Sequence, residues 1–196
     1  MSRTLFATLL YEAMIDEERL LAELAHSIRS LARDDDAGKR WSRDKGYRGY
    51  TSYASLNDLP KRDPAFSELK RLLTRHAAAF ARELAWDRKP NVDSLWVNLL
   101  KSGGHHGAHI HPHSILSGTL YVEAPAGSGA IRFEDPRLPM MMAAPVRGDD
   151  APEELRQFVS IAPHPGLLLM WESWLRHEIL PGKSSGERLS ISFNFA

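Results

Sequence analysis

The hydrophobic rhythm of the chain changes near residue 90. Before that point the apolar positions recur at helical spacing. In "DEERLLAELAHSIRSLARDDDAG", Leu20, Leu21, Leu24, Ile28 and Leu31 share one face, Asp16 is a candidate cap and Gly38 lies beyond the end. A second helix is predicted over 64–85, with Pro64 in its first turn and Phe66, Leu69, Leu72, Leu73, Phe80 and Leu84 as its stripe. The first dozen residues, through "LFATLLY", read as a strand. Residues 39–63 have no clear period and read as a long connection with short extended pieces. Its aromatics Trp41, Tyr47, Tyr50 and Tyr53 either pin the segment to the core or line a pocket mouth.

From residue 91 the segments are short, β-branched and aromatic, and separated by Gly, Pro and Ser. "SLWVNLL", "SGTLYVEA", "GAIRFED", "QFVSIA", "GLLLMW", "HEIL" and "RLSISFNFA" predict an antiparallel sandwich or barrel. The last of these alternates strictly. Leu189, Ile191, Phe193 and Phe195 face one way; Arg188, Ser190, Ser192 and Asn194 face the other. The apolar face needs cover, which the two helices can give. The polar face then meets water or a ligand-holding interior. Residues 136–155, rich in Pro and Met, form a long insertion between strands.

Composition narrows the chemistry. The chain has 196 residues, enough for a real core, and 25 basic residues balance 25 acidic ones. No net field favours nucleic acid or an anionic membrane, and neither is expected as a partner. There is no cysteine, which excludes disulfides, thiolate metal sites and thiol catalysis. No apolar stretch approaches the roughly 20 residues of a membrane helix. The N-terminus soon turns acidic and lacks a small-residue cleavage pattern, so it reads as mature protein, with a cytoplasmic location as the default expectation.

Any metal must therefore be held by His, Asp or Glu. The chain has nine histidines. In "GAHIHPHSILSGTLYV", His109 and His111 point the same way if the segment is a strand. "SWLRHEILP" supplies a distal third, His177, followed eleven residues later by Arg188. His113 shares the alternation but follows Pro112, which breaks the strand. His105 and His106 read as loop residues at the rim. His26 and His76 read as ordinary helical histidines. Glu178 lies on the opposite strand face from His177, and Asp135 sits in a turn-like "EDPR". Tyr121, Asn98 and Trp96 are candidate interior residues; Tyr121 keeps the parity of the histidines only if no bulge intervenes. Arg188, planar and doubly donating, suits a carboxylate, with Ser190 two residues on.

The order His-x-His, distal His, then "RLS" on a final strand resembles the iron(II)/2-oxoglutarate-dependent oxygenases. More narrowly, "HIHPHSILSGTLYVEAP", "GAIRFEDPR" and "PGLLLMWESWLRHEILPGKSSGERLSISFNFA" resemble a small family of these enzymes with H-x-H-P…S-G…Y and W-L-x-H…R-x-S-x-S-F-N motifs. The likeness covers residues 94–196 well and the helical half loosely. It implies an α+β fold: a double-stranded β-helix (jelly-roll, cupin-like) core with N-terminal helices packed on the outside. On this view 1–196 is one oxygenase-like domain, 1–90 mainly helical support and loop, 91–196 the β-barrel core. The resemblance further implies Fe(II) at His109, His111 and His177. It implies 2-oxoglutarate as cosubstrate, bound by Arg188 with Ser190, Tyr121 and Asn98 nearby. The reaction would hydroxylate a C–H bond of a small-molecule or peptide substrate and release succinate and carbon dioxide. His111 stands where the superfamily places a carboxylate, which changes the charge of the centre.

Three other readings remain open from the residues alone. One is a non-enzymatic cupin-like barrel that binds a metal or small ligand. Another is a three-histidine oxygenase without a keto-acid cosubstrate. The last is a structural or oligomer-forming protein whose histidines collect adventitious metal; a homodimer is compatible with any of these.

Overall fold

In the computed structural model, which describes residues 2–196, the change of rhythm marks the passage from a helical layer to a pair of facing sheets. The order is β1 (Leu10–Met14), α1 (Glu18–Asp34), α2 (Asp36–Asp44), β2 (Gly49–Thr51), α3 (Leu59–Arg62), α4 (Pro64–Glu83), β3 (Val92–Leu100) and β4 (His106–His109). Then follow β5 (Leu116–Glu123), β6 (Ile131–Glu134), β7 (Phe158–Ile161), β8 (Leu167–Glu172), β9 (His177–Ile179) and β10 (Arg188–Phe195). One sheet has six strands in the order β1-β8-β5-β10-β3-β2; the other has four, β4-β9-β6-β7. All the ladders are antiparallel, and the two sheets form the jelly-roll core expected from the sequence.

Two apolar clusters hold these layers. The first joins Leu20, Leu24 and Ile28 of α1 and Phe66, Leu69, Leu73 and Phe80 of α4 to the outer face of the six-stranded sheet, including Leu189, Ile191, Phe193 and Phe195. The alternation of β10 is thus satisfied by helices on one side. The second cluster lies between the sheets and contains Tyr121, Ile131, Phe133, Leu167, Leu169, Trp171 and Ile179. Strand β8 contributes to both clusters, since Leu168 and Met170 belong to the first. That is why "GLLLMW" is continuously apolar: both its faces are buried.

Several local expectations are corrected. The first strand starts at Leu10 rather than in "LFATL", and Phe6, with φ of 56°, lies outside it and is exposed. Asp16 caps nothing: the N-cap of α1 is Glu17, without a side-chain hydrogen bond. Gly38 does not terminate a helix but sits within α2, where Asp35 accepts from its amide at 3.0 Å. A β-carbon there would lie 2.8 Å from the Tyr50 ring, so close packing explains the glycine. The segment 39–63 is correspondingly not an open connection. It holds most of α2, then β2 paired to β3, then α3, and Tyr50 is anchored by its hydroxyl to Asp35 at 2.8 Å. Residues 136–155 do form an exposed excursion, with short 3₁₀ turns at Leu138–Met140 and Glu153–Leu155. Among the described residues no helix is long and apolar enough to cross a membrane.

Candidate metal centre

Strands β4 and β9 bring His109 directly opposite His177 in the ladder. Their ring centroids are 4.4 Å apart. His111 joins them from outside the strand. Strand β4 ends at His109, and strand parity therefore does not orient His111. Its place is set instead by its backbone amide, which donates to Ser173 O at 3.0 Å, while the Ser173 amide donates to Ile115 O at 3.0 Å. His113, with φ of 73° and an exposed side chain, turns away after Pro112, as expected.

One ligand nitrogen from each of His109, His111 and His177 lies within 4.8 Å of the others. The Nε2 atoms of His111 and His177 are 3.3 Å apart. Two nitrogens bound at right angles to one ion about 2.1 Å away would be about 3 Å apart, so the spacing suits a shared metal. In His109 and His177 the other ring nitrogen is already engaged. His109 Nδ1 is 2.7 Å from Gly107 O, and His177 Nδ1 is 2.9 Å from Leu175 O. Both carbonyls can only accept, which fixes the proton on Nδ1 and leaves Nε2 a free lone pair. Burial pushes His177 down to about 3 and His111 down to about 4, with the neighbouring His109 adding to both shifts. Both rings are therefore neutral, the form that binds metal. Among the described residues no carboxylate joins the group. Glu178 accepts from Arg132 Nε at 2.8 Å on the other strand face, and Asp135 pairs with Arg137 at 2.8 Å.

Beside the histidines is an inner cavity of about 50 Å³. Arg188 lines it, buried at 3% exposure, with its guanidinium carbon 5.6 Å from the Tyr121 ring centre. Nη1 donates to Gly129 O at 3.1 Å, but Nε has no partner. The Tyr121 hydroxyl and Trp171 Nε1 are likewise buried without partners. Three buried groups that can each donate, and lack an acceptor, mark a place for an anion. A dicarboxylate beside the three imidazoles fits that donor set.

The other expected residues divide. Tyr121 keeps the parity of Thr119 because the irregularity of β5 comes after it: Leu189 pairs with Glu123 and Ser190 with Tyr121, which leaves Val122 as the extra residue. Ser190 and Asn98 both line the cavity. Asn98 is held in place, with Oδ1 accepting from Thr51 Oγ1 at 2.9 Å and Nδ2 donating to Ser192 Oγ at 3.0 Å. His106 is not at the rim. It opens β4, lines the inner cavity and lies 3.0 Å from the Tyr47 hydroxyl. Burial lowers it to about 3, with Arg188 contributing. Nothing in the sequence around Tyr47 foretells that pairing. His76 is an ordinary helical histidine, 2.8 Å from the Tyr11 hydroxyl, and His26 is exposed.

Among curated proteins none matches this chain. A family model described as "Putative 2OG-Fe(II) oxygenase" matches residues 94–194, just over half of the 196-residue chain. Among solved structures, a Pseudomonas putida prolyl-4-hydroxylase is similar with a TM-score of 0.64 at 18% identity, covering 96% of this chain and 92% of that one. The alpha-ketoglutarate-dependent epimerase SnoN from nogalamycin biosynthesis has a TM-score of 0.65 at 16% identity, covering 96% and 76%. HygX from Streptomyces hygroscopicus, with nickel and 2-oxoglutarate bound, has a TM-score of 0.61 at 13% identity, covering 96% and 82%. At such identities the likeness shows a shared fold. The family match goes further: this chain belongs to the 2OG-Fe(II) oxygenase family, oxidoreductases whose metal is iron(II) and whose cosubstrate is 2-oxoglutarate.

Proposed function

We propose that the protein hydroxylates a substrate C–H bond, consuming 2-oxoglutarate and dioxygen and releasing succinate and carbon dioxide. In this reading His109, His111 and His177 hold iron(II), and Arg188 grips the distal carboxylate of 2-oxoglutarate with Ser190 and Tyr121 beside it. One observation carries it: three converging imidazoles adjoin a cavity whose unpartnered buried groups are Arg188 Nε, the Tyr121 hydroxyl and Trp171 Nε1.

Bound iron supplies oxygen activation, which none of the chain's own groups can provide. The chain's part is binding and exclusion. Arg188 is a desolvated cation, costly to bury alone and compensated when a carboxylate arrives. Phe133, Trp171, Ile131 and Ile179 form an apolar wall against the histidines and keep water from the cosubstrate end. The carbonyls of Gly107 and Leu175 hold the His109 and His177 rings in orientation. Three neutral ligands leave the metal's charge uncompensated, and Arg188 adds to it. An anionic cosubstrate therefore completes the charge balance of the centre as well as its ligand set.

Anaerobic titration with iron(II) and 2-oxoglutarate should give a weak visible charge-transfer band, and admission of air should yield succinate. His177→Ala should abolish both; their survival would remove the ligand assignment. Oxygen consumption without a keto acid, unchanged in Arg188→Met, would instead identify a three-histidine oxygenase needing no cosubstrate.

A further inference from the structure

A second, larger cleft of about 420 Å³ lies outside the inner cavity and shares Trp96, Asn98, His106, His109 and His111 with it. Its volume is in the range of small-molecule sites. One side of its wall comes from the segment that shows no period in the sequence. Trp41 stands on α2, Tyr53 follows β2, and Trp96 lies on β3. Their rings form a continuous run toward the metal centre. Trp41 and Tyr53 are 6.0 Å apart between centroids, Tyr53 and Trp96 5.3 Å, and Trp96 and His111 6.1 Å. Tyr53 is 58% exposed, so this run reaches the surface.

The charge of the cleft is one-sided. No Asp or Glu lines it, and its lysine is Lys45. The neighbouring Asp44 faces Arg43 at 3.4 Å, and Lys45 has no ion-pair partner among the described residues. Aromatic walls accept either a ring or a cation. Here a cation would meet Lys45, with no carboxylate of the cleft to offset it. An acid group meets attraction there.

We propose that this cleft is the substrate site and that its substrate is a ring-bearing organic anion. The ring lies along Trp41, Tyr53 and Trp96, the acid group meets Lys45, and the carbon to be oxidised is directed toward His109 and His111. That last placement rests on the dioxygenase reading. The preference for a ring and for an acid does not.

Three probes separate these features: phenylacetate (ring and acid), hexanoate (acid without ring) and 2-phenylethylamine (ring without acid). Binding is followed by ligand-observed NMR on the full chain with iron(II) and 2-oxoglutarate under nitrogen, so that the inner carboxylate site is filled. Phenylacetate should bind about tenfold more tightly than either of the others. Trp41→Ala and Tyr53→Ala should erase the advantage over hexanoate. Lys45→Glu should move the acid-to-amine ratio about tenfold toward the amine, with Lys45→Gln in between. These positions are exposed or half-buried, and unchanged melting would show that the fold is kept. Absence of phenylacetate binding, equal binding of hexanoate, or an acid-to-amine ratio unmoved in Lys45→Glu overturns the proposal. If the ring-and-acid preference appears but wild type gives no charge-transfer band, the cleft assignment stands and the dioxygenase reading falls. A band without the preference removes the cleft assignment and leaves the dioxygenase reading in place.

Discussion

Strands β8 and β10 flank the same strand, β5, in the same sheet, yet their inward faces are opposites. Outward, both are apolar against the helices: Leu168 and Met170 on one, Leu189, Ile191, Phe193 and Phe195 on the other. Inward, β8 presents Leu167, Leu169 and Trp171, whereas β10 presents Arg188, Ser190, Ser192 and Asn194. The space between the sheets thus has an apolar side that holds the sheets together and a polar side that lines the cavity. His177 stands on the seam, 4.6 Å from the Trp171 ring and lining the cavity. One outer surface serves folding while the inner one is free to differ.

The comparison breaks most severely on the outer face. Phe193 is fully buried, and Phe193→Ala should cost about 3–5 kcal/mol in urea denaturation. On the seam, His177→Ala should weaken metal binding on the order of 100-fold or more, measured by calorimetry with zinc as a redox-inert substitute. On the polar face, Arg188→Met should weaken 2-oxoglutarate binding roughly 100-fold while metal binding alone is kept. The same change should leave metal-free stability level or raise it, because a poorly compensated buried charge is removed.

Acid should act on the seam before it reaches the apolar side. His177 and His106 are lowered to about 3 and His111 to about 4, against about 6.5 in the unfolded chain. Below pH 6.5 the unfolded state binds protons that the folded state refuses. Stability of the metal-free protein therefore falls as the pH drops from 6.5 toward 4, and is regained above 6.5. Melting temperatures in chelator across that window should show the slope; a level profile would contradict the neutral, buried state of these rings. The smallest effect should come from Ser192→Ala, within about 1 kcal/mol by denaturation, although it lies one residue from Phe193.

The two strands also show what the sequence could tell. The alternation of β10 and the unbroken apolar run of β8 are direct records of which faces are covered, and both are readable without coordinates. Arg188 is recognisable because it opens such a regular strand, and His109 and His177 are recognisable by their spacing from it and from His111. What regularity does not govern is hidden. Helix α2 has Trp41 as its one large apolar residue among charges, so its period leaves no mark, and Asp35 and Gly38 look like an ending when they are a cap and a close contact. His106 looks like a rim residue because an irregularity between it and His109 alters the parity of β4. The unpartnered state of Tyr121, Trp171 and Arg188 Nε depends on three strands meeting, which no local pattern records.

Position 111 is secured by a main-chain bond to Ser173, not by its side chain. The identity of the residue there is accordingly decoupled from the architecture that delivers it. The same tether could offer the metal an imidazole, an acid, or a bare methyl group that opens a coordination vacancy. In the proposed ligand set, residue 111 would be a dial on the reactivity of the centre, adjustable by a single codon.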